Sequence, residues 1–191
     1  MLPEIYVIRH GQTEWNASGR WQGSYDSPLT ERGQSQALAL GGLLAAEGIA
    51  TTHRLLCSPQ GRARRTAELI AKAAGFPAPM EDARLREIDV GRWTGRTRAE
   101  ILAEAPHTEE LDWLELYTHA PGGESFEALW ERVGAVLESL TGPTVLVTHG
   151  ITSRFLRTRA MGWGPDRMEE LPGGQGVAHR IAAGQHEELA P

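Results

Sequence analysis

The chain has 191 residues, 40% hydrophobic and 23% charged, with a net charge of −6 and a pI near 5.7. That is the composition of one globular domain with a full core, and the acidic balance argues against a general nucleic-acid binder, which carries a basic face. A single cysteine, Cys57, excludes an internal disulfide and a thiolate-rich metal site, and apolar runs as short as Val145-Leu146-Val147 leave no segment able to span a bilayer. The N-terminal Met-Leu-Pro-Glu lacks a basic n-region followed by an apolar stretch, so no secretory signal is expected and a cytoplasmic protein fits best.

Glu4 to Arg9 reads as a buried strand, an unbroken run of β-formers ended by His10-Gly11. A polar, glycine-containing loop follows to Ser27-Pro28. Thr30 is a good N-cap for a helix with the apolar stripe Ala37, Leu38, Leu40, Leu43 and Leu44, stopped by Gly48. Arg54 to Cys57 is a second strand, ended by Ser58-Pro59. Residues 61–74 form a helix closed by Gly75, and 76–96 read as irregular. One or two short helices fall around Pro106 within 97–120. A helix over Glu124 to Leu140 is broken by Gly142-Pro143. Thr144 to Thr148 is a third strand, ended by His149-Gly150, before a helix from about Ile151 to Met161. Val177 to Ala182 is a candidate last strand. Strands alternating with helices predict a mostly parallel α/β sheet covered on both faces. No linker, repeat or low-complexity run divides the chain, so residues 1–191 are expected to form a single domain.

One local echo carries the functional argument. Tyr6-Val7-Ile8-Arg9-His10-Gly11 and Val145-Leu146-Val147-Thr148-His149-Gly150 share one plan of apolar strand, polar residue, His and Gly. Ligands of open α/β sheets bind beyond the carboxyl ends of strands. Three strand ends would therefore deliver Arg9, His10, Arg62 and His149 into one crevice. Arginine forks match phosphate oxygens, and the helix N-termini after Pro59 and at Gly150 would add backbone N–H groups. A neutral imidazole is a competent nucleophile toward phosphorus, and arginines can supply the charge neutralisation that phosphoryl transfer needs. Glu87, in the irregular stretch Leu85–Gly91, is the candidate donor of a proton to the leaving alkoxide. The chain has no P-loop, dinucleotide fingerprint, His-Glu-x-x-His or Gly-x-Ser-x-Gly; its lone lysine, Lys72, lies in an apolar helical stretch. The remaining histidines, among them His53, His107, His119, His179 and His186, read as surface or structural. Arg20, Arg32, Arg64, Arg65, Arg84, Arg96 and Arg98 read as solvated charges. Trp113, Trp130 and Trp163 read as packing residues, while Trp15 and Trp21 are candidates to line a pocket.

The run Arg9-His10-Gly11-Gln12-Thr13-Glu14-Trp15-Asn16 strongly resembles the histidine phosphatase superfamily, the phosphoglycerate mutase-like group. The likeness continues through Gln22-Gly23, Asp26-Ser27-Pro28-Leu29-Thr30, Ser58-Pro59-Gln60-Gly61-Arg62-Ala63, Leu85-Arg86-Glu87, Gly91-Arg92-Trp93-Thr94-Gly95, Gly123-Glu124-Ser125 and Val147-Thr148-His149-Gly150. The resemblance implies a three-layer α/β/α sandwich, no metal and no other cofactor. It implies His10 as the phosphorylated nucleophile, Arg9, Arg62 and His149 as phosphoryl ligands, and Glu87 as the proton donor. Thr13, Asn16, Gln22 and Gly23 would border the pocket, beside Gly150. An insert over about 97–121 would set part of the specificity. Mutases of the group carry further basic residues in that insert and Glu-Arg-x-Tyr after the acid. Here Glu87 is followed by Ile88-Asp89-Val90 and the insert is acidic, with Arg96 and Arg98 the remaining basic candidates. The favoured reading is a phosphatase of a small phosphorylated metabolite. A phosphoglycerate mutase is the alternative, and a non-catalytic phospho-ligand module a distant third. Nucleic acid and membrane are not expected partners, and a homodimer is compatible with the sequence.

Overall fold

The structure, a computed structural model, describes residues 2–191. Six strands form one sheet in the order β3-β2-β4-β1-β5-β6. Strands β1 (Ile5–Arg9), β2 (Arg54–Cys57), β3 (Met80–Glu81) and β4 (Thr144–Thr148) run parallel, while β5 (Ala178–Ala182) and β6 (Gln185–Leu189) complete one edge antiparallel. The two-residue alternation of strand side chains divides the core. Ile5, Val7 and Leu146 face one layer, with Leu129 and Val133 of α6 (Phe126–Glu138) and Phe155 of α7 (Gly150–Ala160). Tyr6, Ile8, Val145 and Val147 face the other, with Leu40 and Leu44 of α2 (Glu31–Ala46) and Ile70 of α3 (Gly61–Ala74). Both faces of β1 and β4 are therefore buried, which is why these strands read as unbroken apolar runs. The expected three-layer α/β/α sandwich with a mostly parallel central sheet is what the chain forms.

Local chemistry sets the element ends. Thr30 caps α2 by accepting from the Gly33 N–H, as its sequence position predicts. Ser125 caps α6 at the Ala128 N–H, so that helix starts at Phe126 rather than Glu124. The polar loop after His10 holds a short helix, α1 (Glu14–Ala17), fastened by a capping box between Thr13 and Asn16. Two more short helices, α4 (Arg98–Glu104) and α5 (Glu115–Thr118), form the 97–121 segment. Strand β6 was not expected. Its polar sequence Gln-His-Glu-Glu-Leu hides an edge strand, joined to β5 by Ala183-Gly184, both at positive φ (50° and 74°). Two successive positive-φ residues are the geometry of a type I′ hairpin turn.

One close backbone approach positions the site. A Cβ on Gly11 would lie 2.3 Å from the Gly33 carbonyl oxygen, and one on Gly33 would lie 2.0 Å from that of Gln12. The loop after His10 therefore lies directly on the first turn of α2, where only glycine fits. Among the described residues no helix is long and apolar enough to cross a membrane.

Candidate active site

The echo in the sequence becomes a contact in space. Parallel pairing sets Arg9 opposite Thr148, so His10 and His149 follow side by side at the strand ends. Their rings meet edge-on with centroids 5.2 Å apart. Strand β2 ends beside them, and Ser58 Oγ lies 2.8 Å from His149 Nε2. His10 Nδ1 lies 2.8 Å from the Gly11 carbonyl oxygen. A carbonyl only accepts, so Nδ1 carries the proton and Nε2 keeps its lone pair. Both rings are nearly free of solvent contact. Burial, reinforced by Arg9 and Arg62, holds the His10 pKa well below the ordinary 6.5. His149 is lowered in the same way by burial, then Arg62, His10 and Arg9.

A cavity of about 240 Å³ opens at this point, lined by Arg9, His10, Asn16, Gln22, Gly23, Arg62 and Glu87, with Arg20, Trp21 and Tyr117 among its other walls. Arg62 is 2% exposed, and its two terminal nitrogens donate to Gly23 O, Tyr25 O and Asp26 Oδ1. Burial lowers the pKa of Arg62, opposed by Glu87 and Asp26, and burial likewise lowers that of Arg9. Three buried nitrogens in this group have no protein partner: Arg9 Nε, Arg62 Nε and His149 Nδ1. Glu87 is held by the first turn of α7. Its Oε1 accepts from Ile88 N, Thr152 N and Thr152 Oγ1 within 3.1 Å, whereas Oε2 accepts only from Ile151 N, at 3.3 Å.

Several expectations need correcting. Much of each helix N-terminus is already taken by a protein carboxylate. The Gly61 and Arg62 N–H groups at the start of α3 donate to the Asp26 carboxylate, and those of Ile151 and Thr152 at the start of α7 donate to Glu87. Thr13 is fully buried as the cap of α1 and is absent from the cavity wall, acting there only through Asn16. Gly150 lines a second, adjoining cavity instead of the first. Trp21 does line the site, stacked on Tyr117 with centroids 4.1 Å apart, whereas Trp15 sits against Gly95. Arg20, read as a solvated charge, is on the cavity wall and donates to Gly95 O and Glu100. His179, read as surface or structural, is 2% exposed and lines the second cavity. Trp113 is 44% exposed rather than packed inside. Arg96, just before the insert, and Arg98, within it, are solvent-exposed and line neither cavity.

Three residues of the site were not singled out from the sequence. Gln60 accepts from Glu87 N and donates to Gly23 O, tying the two loops together. Gln175, far along the chain, donates to His10 O and to Asn16 Oδ1. Tyr117 is the part of the acidic insert that reaches the cavity. The first lies within a motif and could have been singled out there; the others come from segments whose position only the tertiary fold determines.

The arrangement has counterparts among known proteins. The family described as histidine phosphatase superfamily (branch 1) matches residues 5–187. The chain belongs to the histidine phosphatase superfamily. A Citrobacter koseri protein named "Probable phosphoglycerate mutase GpmB" is 39% identical over 170 residues, covering 83% of this chain and 75% of the relative. The alpha-ribazole phosphatase of Shigella flexneri superposes with a TM-score of 0.81 at 27% identity, over 98% of this chain and 96% of that one. A mycobacterial glucosyl-3-phosphoglycerate phosphatase, solved with VO3, gives a TM-score of 0.78 at 31% identity, over 94% and 91%. This histidine phosphatase thus shares its sandwich with phosphatases and its sequence with a mutase-named relative.

Proposed function

We propose that residues 1–191 act as one unit, a cytoplasmic phosphatase that hydrolyses small phosphomonoesters through a phosphohistidine and without a metal. The observation that carries this reading is the set of three unpartnered buried donors around His10: Arg9 Nε, Arg62 Nε and His149 Nδ1. Buried donors without partners are costly, and a phosphoryl group offers three oxygens to receive them. VO3 in the mycobacterial relative is consistent with an oxyanion at such a centre.

The steps follow from the atoms. His10 Nε2 attacks phosphorus, and the N–P bond forms as the P–O bond to the leaving group breaks. Arg9, Arg62 and His149 take up the charge on the phosphoryl oxygens. Glu87 Oε2 gives its proton to the departing alkoxide. A water then attacks phosphorus, returns a proton to Glu87, and leaves inorganic phosphate and free His10. Asn16, Gln22 and Gly23 border the substrate, and the 97–121 insert covers it through Tyr117. A mutase differs only in the second acceptor, an alcohol in place of water. The mutase name of the Citrobacter relative favours that alternative.

The test is phosphate release from phenyl phosphate in excess EDTA, with protein quenched in alkaline detergent examined for an alkali-stable, acid-labile phosphoryl group on His10. Turnover with a transient label is expected. Turnover abolished by EDTA, or label-free turnover, overturns the reading. Movement of ³¹P between positions of 3-phosphoglycerate without free phosphate selects the mutase.

A further inference from the structure

The proton donor sits in a stretch with little structure of its own. Between β3 and α4, residues 82–96 hold only two single turns of 3-10 helix, Ala83–Leu85 and Gly91–Trp93, and Glu87 belongs to neither. Its backbone groups must find their partners elsewhere. The peptide joining Arg86 to Glu87 is held on both sides, and every partner is a side chain. Its N–H, that of Glu87, donates to Gln60 Oε1 at 2.8 Å. Its carbonyl, that of Arg86, accepts from Thr152 Oγ1 at 2.8 Å and Arg132 Nη1 at 2.9 Å. Three helices thus grip one peptide plane: α3 through its N-cap residue Gln60, α6 through Arg132 and α7 through Thr152.

Each grip is itself anchored. Gln60 makes no side-chain cap to its own helix; its Nε2 donates instead to Gly23 O at 2.8 Å, the carbonyl that also accepts from Arg62 Nη2 at 2.9 Å. Arg132 meets Glu124 fork to fork, Nε to Oε1 at 2.8 Å and Nη2 to Oε2 at 2.6 Å, with the side chains 8% and 9% exposed. Its Nη1 spans the carbonyls of Arg84, at 2.6 Å, and Arg86. Glu124 N donates to Asp89 O at 2.8 Å. The Gly123-Glu124-Ser125 motif is absent from both cavity walls, yet through Glu124 it bears on the acid's segment from either side of Glu87. We propose that Gln60 and Arg132 are positioning residues for the proton donor: by fixing the Arg86–Glu87 peptide they aim the Glu87 carboxyl at the leaving-group oxygen. This rests on the phosphatase reading above, in which Glu87 supplies that proton. Thr152 bonds the carboxyl as well as the peptide, whereas Gln60 and Arg132 reach Glu87 only through its backbone. A tilt of the peptide plane carries the Glu87 Cα with it, and a misplacement on the order of 1 Å is enough to cost about 10²-fold.

The leaving group separates aim from mere integrity of the fold. Phenyl phosphate releases a basic phenoxide that leaves best with a proton, whereas 2,4-dinitrophenyl phosphate releases a stable anion that needs none. Comparing kcat/KM confines the reading to formation of the phosphohistidine, so its breakdown does not enter. Glu87→Gln should lower kcat/KM by about 10²-fold or more on phenyl phosphate and by less than about threefold on the dinitrophenyl ester. Gln60→Leu, which keeps the bulk and removes both amide bonds, should show the same selectivity with a loss of about tenfold on phenyl phosphate. Arg132→Lys, which keeps the charge without the fork, should show a several-fold selective loss. Circular dichroism melts report folding of each variant, and Gln60→Leu decides alone if Arg132→Lys does not fold. Equal losses on the two esters in a folded variant, or no loss on either, overturn the positioning role of that residue; a selective loss in Glu87→Gln then leaves the phosphatase reading standing. Equal losses in Glu87→Gln overturn Glu87 as donor and the inference with it. Wild-type protein that releases phosphate from neither ester overturns instead the phosphatase reading.

Discussion

His10 and His149 end neighbouring parallel strands, one residue beyond the paired Arg9 and Thr148, and both are buried with lowered pKa values. They are held by opposite nitrogens. His10 is fixed through Nδ1 on the Gly11 carbonyl and presents Nε2; His149 is fixed through Nε2 on Ser58 Oγ and keeps Nδ1 without a partner. Ser58 Oγ accepts from Gln60 N, and its O–H has no acceptor other than His149 Nε2 among the described residues; donated there, it leaves a proton on Nδ1. One ring offers a lone pair and the other an N–H. The same strand-end plan thus yields a nucleophile and an electrostatic partner, and the difference lies in what each ring leans on.

The largest expected effect breaks or keeps that asymmetry. Replacing His10 by Ala should lower kcat/KM by at least about 10⁴-fold, because the covalent route is lost. His149→Ala removes a donor to the phosphoryl oxygens and should cost about 10²–10³-fold. Steady-state phosphate release measures both. Equal losses would mean that the two rings act as a unit and that the division of roles is wrong.

The next effect treats the two rings alike. A histidine whose folded pKa lies below its unfolded 6.5 is neutral in the fold while the unfolded chain takes up a proton. Its contribution to stability is complete above 6.5 and is lost as pH falls toward the folded value. Each such ring removes up to about 1.4 kcal/mol per pH unit in that window. His179, pushed by burial from 6.5 to about 3, adds a third. Urea unfolding should therefore show stability falling steadily from pH 6.5 to 5. His10→Asn and His149→Asn should each flatten the slope by one ring's share. An unchanged slope in one variant would show that its ring takes up protons in the fold as readily as in the unfolded chain.

Much of this was legible in the chain. Strands β1, β2 and β4 declare themselves as apolar runs because both faces are covered, and Gly75 marks a helix end. The sheet brings His10 and His149 together because register is a backbone property, and the echo is a direct record of it. Strand β6 and the cavity-lining Arg154 and Arg157 were not legible. An edge strand needs no apolar alternation, and arginines within an amphipathic helix look solvated until the C-terminal segment is packed over them. The carboxylates at the two helix starts were hidden for a related reason: Asp26 lies 35 residues from Gly61 and Glu87 lies 64 from Ile151, so only the tertiary fold pairs them.

Those two carboxylates give the smallest expected effect. Glu87 sits on α7 inside the cavity wall, whereas Asp26 sits on α3 with its side chain 40% exposed and acts through Arg62. Asp26 accepts from Gly61 N at 2.7 Å and Arg62 N at 3.2 Å, and pairs with Arg62 Nη1 at 2.8 Å. Gly23 O and Tyr25 O still hold the guanidinium when Asp26 is removed. Asp26→Ala should therefore cost the helix cap, about 1 kcal/mol, and loosen Arg62 without displacing it. A positioning role predicts a KM raised by about tenfold with kcat changed less, since the lost order weakens ground state and transition state together. Asp26→Asn, which keeps the acceptor for Gly61 N, should recover most of the stability and part of the KM. A fall confined to kcat would instead place Asp26 in the chemical step and remove the distinction between the two helix starts.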